Sequence, residues 1–84
     1  MKITLKLFAT LTDYLPATSR YTNIVELEVA DGATLLQVIE PYQLPPALVH
    51  LVLVNGKYIE PGKRASQTLS EGDVLAIWPP IAGG

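Results

Sequence analysis

LSEGDVLAIWPP, residues 69–80, is the stretch on which the fold turns. Glu71-Gly72-Asp73 reads as a tight turn, because glycine supplies backbone conformations that other residues avoid. Val74 to Trp78 then reads as a strand, rich in residues that suit a pleated surface, and Pro79-Pro80 stops it. Side chains alternate between the two faces of a strand. Leu75 and Ile77 therefore share one face, and Val74, Ala76 and Trp78 share the other. A strand with this pattern is expected in the middle of a sheet, with Leu75 and Ile77 toward the core. Leu69, alone among polar residues, is expected to plug into that core.

Other strands follow on working outward. KITLKLF, residues 2–8, alternates strictly: Ile3, Leu5 and Leu7 face one way, Lys2, Thr4 and Lys6 the other. This strand should also sit centrally. IVELEVA, residues 24–30, sets Val25, Leu27 and Val29 against Glu26 and Glu28, and Asp31-Gly32 turns the chain. LVHLVLV, residues 48–54, is an apolar run that reads as a strand throughout. Asn55-Gly56 is a strong hairpin signal, and Lys57 to Glu60 should return as a short strand before the turn at Pro61-Gly62. The long connection 9–23, broken by Pro16, carries at most a helical turn around Leu11 to Leu15.

One helix is expected. Thr34-Leu35-Leu36-Gln37 fits a capping box, and Leu35, Val38 and Ile39 follow at the spacing of a single helical face. Pro41 should end the helix near Glu40, after about two turns, because proline restricts the residue before it. PYQLPPA, residues 41–47, is then a stiff loop. The order strand, strand, helix, strand, short strand, strand predicts an α+β domain, a mixed sheet of four to five strands wrapping one short helix. Leu5, Leu27, Val38 and Ile77 are expected in the core.

With 84 residues the chain forms one small domain. It contains no cysteine and one histidine, so a zinc-thiolate site and a cysteine nucleophile are excluded and no metal site is expected. Six Lys and Arg residues are scattered through a chain of net charge −2, unlike the basic stripe of a nucleic-acid binder. No apolar run has the length of a membrane span. The expected setting is soluble and cytoplasmic, with neither nucleic acid nor membrane as a partner. No catalytic residue is expected. His50 has no nucleophile beside it, and Ser66 and Ser70 lack a triad context. Glu26 and Glu28 read as a solvated strand face. Lys57, Lys63 and Arg64 read as solvated surface.

The run WPPIAGG, Trp78 to Gly84, is the chemically distinctive feature. Pro79 and Pro80 favour an extended tail, and Gly83 and Gly84 allow close backbone approach in a narrow channel. With no thiol in the chain, the Gly84 carboxylate is the natural handle for chemistry.

Val54-Asn55-Gly56, the L-x-E-G-D run at 69–73 and PP-I-A-GG at 79–84 together resemble the MoaD/ThiS family of ubiquitin-like β-grasp sulfur carriers. The MoaD branch, small subunits of molybdopterin synthase, typically ends Phe-Pro-Pro-x-x-Gly-Gly, and Trp78 stands here for the Phe. The first connection and the helix clipped by Pro41 depart from that pattern. The resemblance implies a β-grasp domain over residues 1–78 and an extended, flexible C-terminal tail over residues 79–84. It implies a non-catalytic carrier whose Gly84 is adenylated, at the expense of ATP used by the activating partner, and converted to a thiocarboxylate that donates sulfur for molybdenum or tungsten cofactor biosynthesis. No bound cofactor is implied. The implied partners are a MoeB/ThiF-like adenylating enzyme, a sulfur donor protein and a large MoaE-like catalytic subunit. Pro79, Pro80, Ile81, Ala82 and Gly83 would insert into a partner. The β-grasp analogy places Leu51 and Leu53 on the outer face with Val74, Ala76 and Trp78, and Phe8 at its edge, as a docking face. The competing expectation is that the first loop, with Tyr14 and Tyr21, folds over it. Alternative functions are a ThiS-like carrier for thiamine or another small product, a ubiquitin-like modifier conjugated to lysines through Gly84, and a non-covalent interaction module.

Overall fold

A computed structural model describes residues 1–80. The strands are β1 (Lys2–Leu7), β2 (Ile24–Glu28), β3 (Leu51–Val54), β4 (Lys57–Tyr58) and β5 (Val74–Trp78), and the α-helix is α1 (Leu35–Ile39). They form one sheet in the order β2-β1-β5-β3-β4. β1 runs antiparallel to β2 and parallel to β5, and β5 runs antiparallel to β3. The first and last strands thus sit inside the sheet, as expected, and β3 is the third inner strand. This is the ubiquitin-like β-grasp architecture, five strands about one short helix.

The register turns sequence parity into two sheet faces. Leu5 pairs with Leu75 and Leu7 with Ile77, and all four are fully buried. Val52 and Val54 join them from β3, and Leu35, Val38 and Ile39 of α1 complete the same core. Leu69 is buried there, as its isolation among polar residues predicts. Leu27 is only half-buried, against the expectation of a core position. Its strand is at the sheet edge, with a neighbour on one side alone.

α1 is short, and two contacts hold its start. Gln37 N donates to Thr34 Oγ1 at 3.2 Å, while Thr34 N donates to Gln37 Oε1 at 2.9 Å, a closed capping box. Leu35 N donates to Gln67 O and Leu69 N to Ala33 O, tying the helix start to the 67–69 segment. A single 3-10 turn, Glu40–Tyr42, carries Pro41 beyond the helix. In the first connection, Ala9 takes φ 53° and swings the chain out of β1. The 3-10 turn Ala9–Tyr14 that follows delivers Leu11 to the core, and Leu15 is buried just beyond it.

The strand expected over 48–54 begins only at Leu51. Pro46–Leu48 forms a 3-10 turn instead, because Pro45-Pro46 fixes the backbone in a geometry that does not pair. The hairpin at Asn55-Gly56 is as expected, with φ 51° and 83°, the left-handed pair of a type I′ turn. Asn55 does more than turn the chain. Its Nδ2 donates to Asp73 Oδ1 at 2.8 Å, and its Oδ1 accepts from Val74 N at 2.8 Å. Asp73 Oδ2 in turn accepts from Ser70 N. The V-N-G and E-G-D runs, remote in sequence, form one hydrogen-bonded corner that sets the start of β5.

Candidate functional site: the outer sheet face and the root of the tail

On the outer side of the sheet, the β3–β5 register pairs Leu51 with Trp78 and Leu53 with Ala76. The Trp78 ring stacks on Phe8, with centroids 4.1 Å apart and planes 5° from parallel. The structure therefore brings Phe8, Leu51, Leu53, Val74, Ala76 and Trp78 onto one face. Their contributions differ. Ala76 is buried between its neighbours and supplies little surface, whereas Leu51 is 37% exposed. Phe8, Leu53, Val74 and Trp78 are half-buried.

The first loop does not lay Tyr21 over this face, and its Tyr14 is 37% exposed. Its Leu11 and Leu15 go into the core, and Tyr21 is 88% exposed, with its ring out in solvent. Tyr58 extends the patch beyond the sequence reading, while Ile24 is a separate exposed apolar residue set apart from it by Lys6 of β1. Tyr58 pairs with Leu53 across the hairpin and is exposed, and Ile24 pairs with Lys6 at the opposite edge and is exposed. The two-residue Asn-Gly turn already fixes the Leu53–Tyr58 pairing, so Tyr58 was recoverable from the hairpin signal. Glu26 and Glu28 lie on the same side of β2, exposed, as solvated positions.

At the foot of β5 the chain is held on two sides. Phe8 N donates to Ile77 O at 3.1 Å, and His50 N donates to Trp78 O at 3.2 Å. Pro79 is buried and Pro80 exposed, so the body grips the chain one residue past the strand. Ile81, Ala82, Gly83 and Gly84 lie outside the described residues, and so does the expectation of a flexible tail that ends in a reactive glycine.

Arg64 corrects the sequence reading. It is buried, not solvated. Its Nε donates to Ile59 O at 3.2 Å, and its two terminal nitrogens donate to Val49 O and His50 O, each at 3.0 Å. A charge at this depth is tolerated because its donors meet carbonyl oxygens. His50 itself is exposed, and its backbone N–H meets the tail root. Lys57 and Lys63 are exposed, as expected.

Among the described residues, no group of three or more His, Asp or Glu side chains could hold a metal ion. No helix among them is long and apolar enough to cross a membrane. The outer side of β3 and β5 carries an apolar patch, and β5 runs straight into Pro79 and Pro80.

The model of the ThiS family matches residues 5–84. No curated protein matches the chain. Among solved structures, SAMP1 from Haloferax volcanii is 26% identical, with all of both chains covered and a TM-score of 0.70. The HVO 2177 protein of Haloferax volcanii, solved in solution, is 25% identical, with 100% of this chain and 87% of that one covered and a TM-score of 0.75. A chain from the complex of subunits 1 and 2 of molybdopterin-converting factor from Helicobacter pylori is 19% identical over the whole of both chains, with a TM-score of 0.63, and shares the fold.

Proposed function

The chain belongs to the ThiS family, and from that premise we propose that it is a sulfur carrier, in the cytoplasm, for molybdopterin synthesis. Gly84 is the working end. Its carboxylate attacks the α-phosphorus of ATP in the active site of a MoeB/ThiF-like enzyme, and pyrophosphate leaves. Hydrosulfide supplied by a sulfur donor protein then attacks the acyl carbon of the adenylate, the new C–S bond forms, and AMP leaves with the bonding pair. The thiocarboxylate so formed gives its sulfur to a precursor held by a larger MoaE-like subunit. The chain itself supplies no acid, base or nucleophile to these steps. It supplies docking and aim.

One observation carries the reading. Trp78 belongs at once to the open apolar face and to the last position of an inner strand. A partner that grips the face therefore holds the root of the tail at a fixed place. Aromatic residues of this kind anchor protein interfaces. Pro79 and Pro80 reduce the freedom the tail must give up on entering a channel.

The likeness to SAMP1, whose fuller name is small archaeal modifier protein 1, favours a second reading, conjugation through Gly84 to lysines of other proteins. Both readings begin with adenylation and part at the acceptor. Incubation with an adenylating enzyme, ATP and a sulfur donor should replace one oxygen of the chain by sulfur, seen in the intact mass. Removal of Gly83 and Gly84 should abolish that gain and leave the melt unchanged. Isopeptide-linked products in place of the thiocarboxylate would favour the modifier. No adenylate with any such enzyme would reject both.

A further inference from the structure

We infer that Arg64 is a positioning residue that sets the direction in which the tail leaves the body. The inference rests on the carrier reading for its consequence, though not for its geometry. β3 begins late, at Leu51, so the backbone of Val49 and His50 runs beside the foot of β5 outside the strand ladder. Arg64 takes both of their carbonyls, and Ile59 O as well, with one buried guanidinium. The planar, forked donor set fixes three acceptors at once, which a lysine ammonium cannot reproduce. With its carbonyls held, His50 can aim its N–H at Trp78 O. That bond is the last one the body makes to the chain before Pro79 and Pro80, neither of which has an N–H to donate. The relay therefore runs from guanidinium to the 49–50 backbone, and from there to the Trp78 carbonyl and the tail.

Arg64 lies off the outer face, so its loss should leave docking intact and loosen only the aim. Misplacement of a reacting group by about 1 Å can cost up to about a hundredfold in rate. The experiment uses the full chain as the substrate of an adenylating enzyme, read by pyrophosphate exchange. Hydrogen exchange at the His50 amide is measured alongside. In Arg64→Lys, turnover at saturating carrier should fall about tenfold or more with KM little changed, and the His50 amide should exchange faster while those of Leu5 and Leu75 do not. His50→Pro removes the N–H that meets Trp78 O and keeps Arg64 in place. It should reproduce the turnover loss, and it carries the test if Arg64→Lys does not fold. Normal turnover in folded His50→Pro, or unaltered His50 exchange in folded Arg64→Lys, would overturn the relay. A raised KM at unchanged turnover would do so too, because it would place the effect in docking. If the parent chain is not adenylated at all, the carrier reading fails, while the exchange measurement still decides whether Arg64 holds the tail root.

Discussion

On the inner side of β5, Leu75 and Ile77 have no exposed surface, and α1 lies over the sheet they belong to. On the outer side, Trp78 and Val74 stay half-open, and Leu51 beside Trp78 is 37% exposed. The side chains of both faces are apolar. On β1, directly beside β5, the outer positions are Lys2, Thr4 and Lys6, and on the edge strand β2 they are Ile24, Glu26 and Glu28, the mix of a largely solvated sheet face. The contrast separates two reasons for apolar residues on a strand. The inner set is used by the fold. The outer set is left part-exposed, and under the proposed carrier reading it is the surface offered to another protein.

The sharpest way to break this comparison is to truncate one residue from each side. Leu75→Ala opens a cavity under α1 and should cost about 2–5 kcal/mol. In a domain whose total stability is on the order of 5–15 kcal/mol, that should lower the thermal midpoint by many degrees. A shift of only a degree or two would mean that the inner face is poorly packed and that the two sides are less different than their exposure suggests.

Trp78→Ala is the outer counterpart. Losing the stack on Phe8 should cost the free domain about 0.5–1.5 kcal/mol. Binding to the adenylating enzyme should weaken by about 2 kcal/mol or more, as for buried aromatic anchors of interfaces. Calorimetry of binding and a melt on the same variant separate the two. Equal affinity with a collapsed melt would place Trp78 with the core residues, and the interface reading would go.

Much of this division was legible in the sequence. Strict alternation in residues 2–8 gave Ile3, Leu5 and Leu7 their side, and the same parity sorted Leu75 and Ile77 from Val74, Ala76 and Trp78. Local chemistry was legible too: the Thr34 capping box and the Asn55-Gly56 turn both form. What escaped lay outside these local patterns. An apolar run such as 48–54 carries no period that distinguishes strand from turn, so the late start of β3 could not be read from it. Nor could the burial of Arg64. It sits in a polar loop, and its partners are backbone carbonyls that side-chain patterns do not report. Leu27 shows a third limit, since alternation identifies the face of a strand but not its place in the sheet.

The cover of the inner face can be tested at its cap. Thr34→Ala removes the acceptor of the Gln37 N–H, and caps of this type are worth about 1 kcal/mol. The helix is only five residues long, so the loss should appear in the global melt rather than as local fraying. A silent substitution would show that the backbone bonds to Gln67 and Leu69 hold α1 down without the cap.

Tyr42 gives the smallest expected effect and a test of how dry the inner side is at its rim. It lies half-buried against the core, just beyond α1, and burial pushes its phenol above the usual value of 10.0. Burial disfavours the charged phenolate, so the folded chain holds this proton more tightly than the unfolded chain does. The resulting contribution to stability is fully present below the unfolded value and is lost as pH rises through the folded one. Urea midpoints taken from about pH 9 to about pH 11 should therefore decline, and in Tyr42→Phe part of that decline should disappear. The effect is small because Tyr42 is only partly removed from water, so solvent screens much of the penalty. An identical decline in parent and variant would mean that water reaches the Tyr42 hydroxyl freely. The inner rim would then be as wet as the outer face, and the dry side of the sheet would end at the helix.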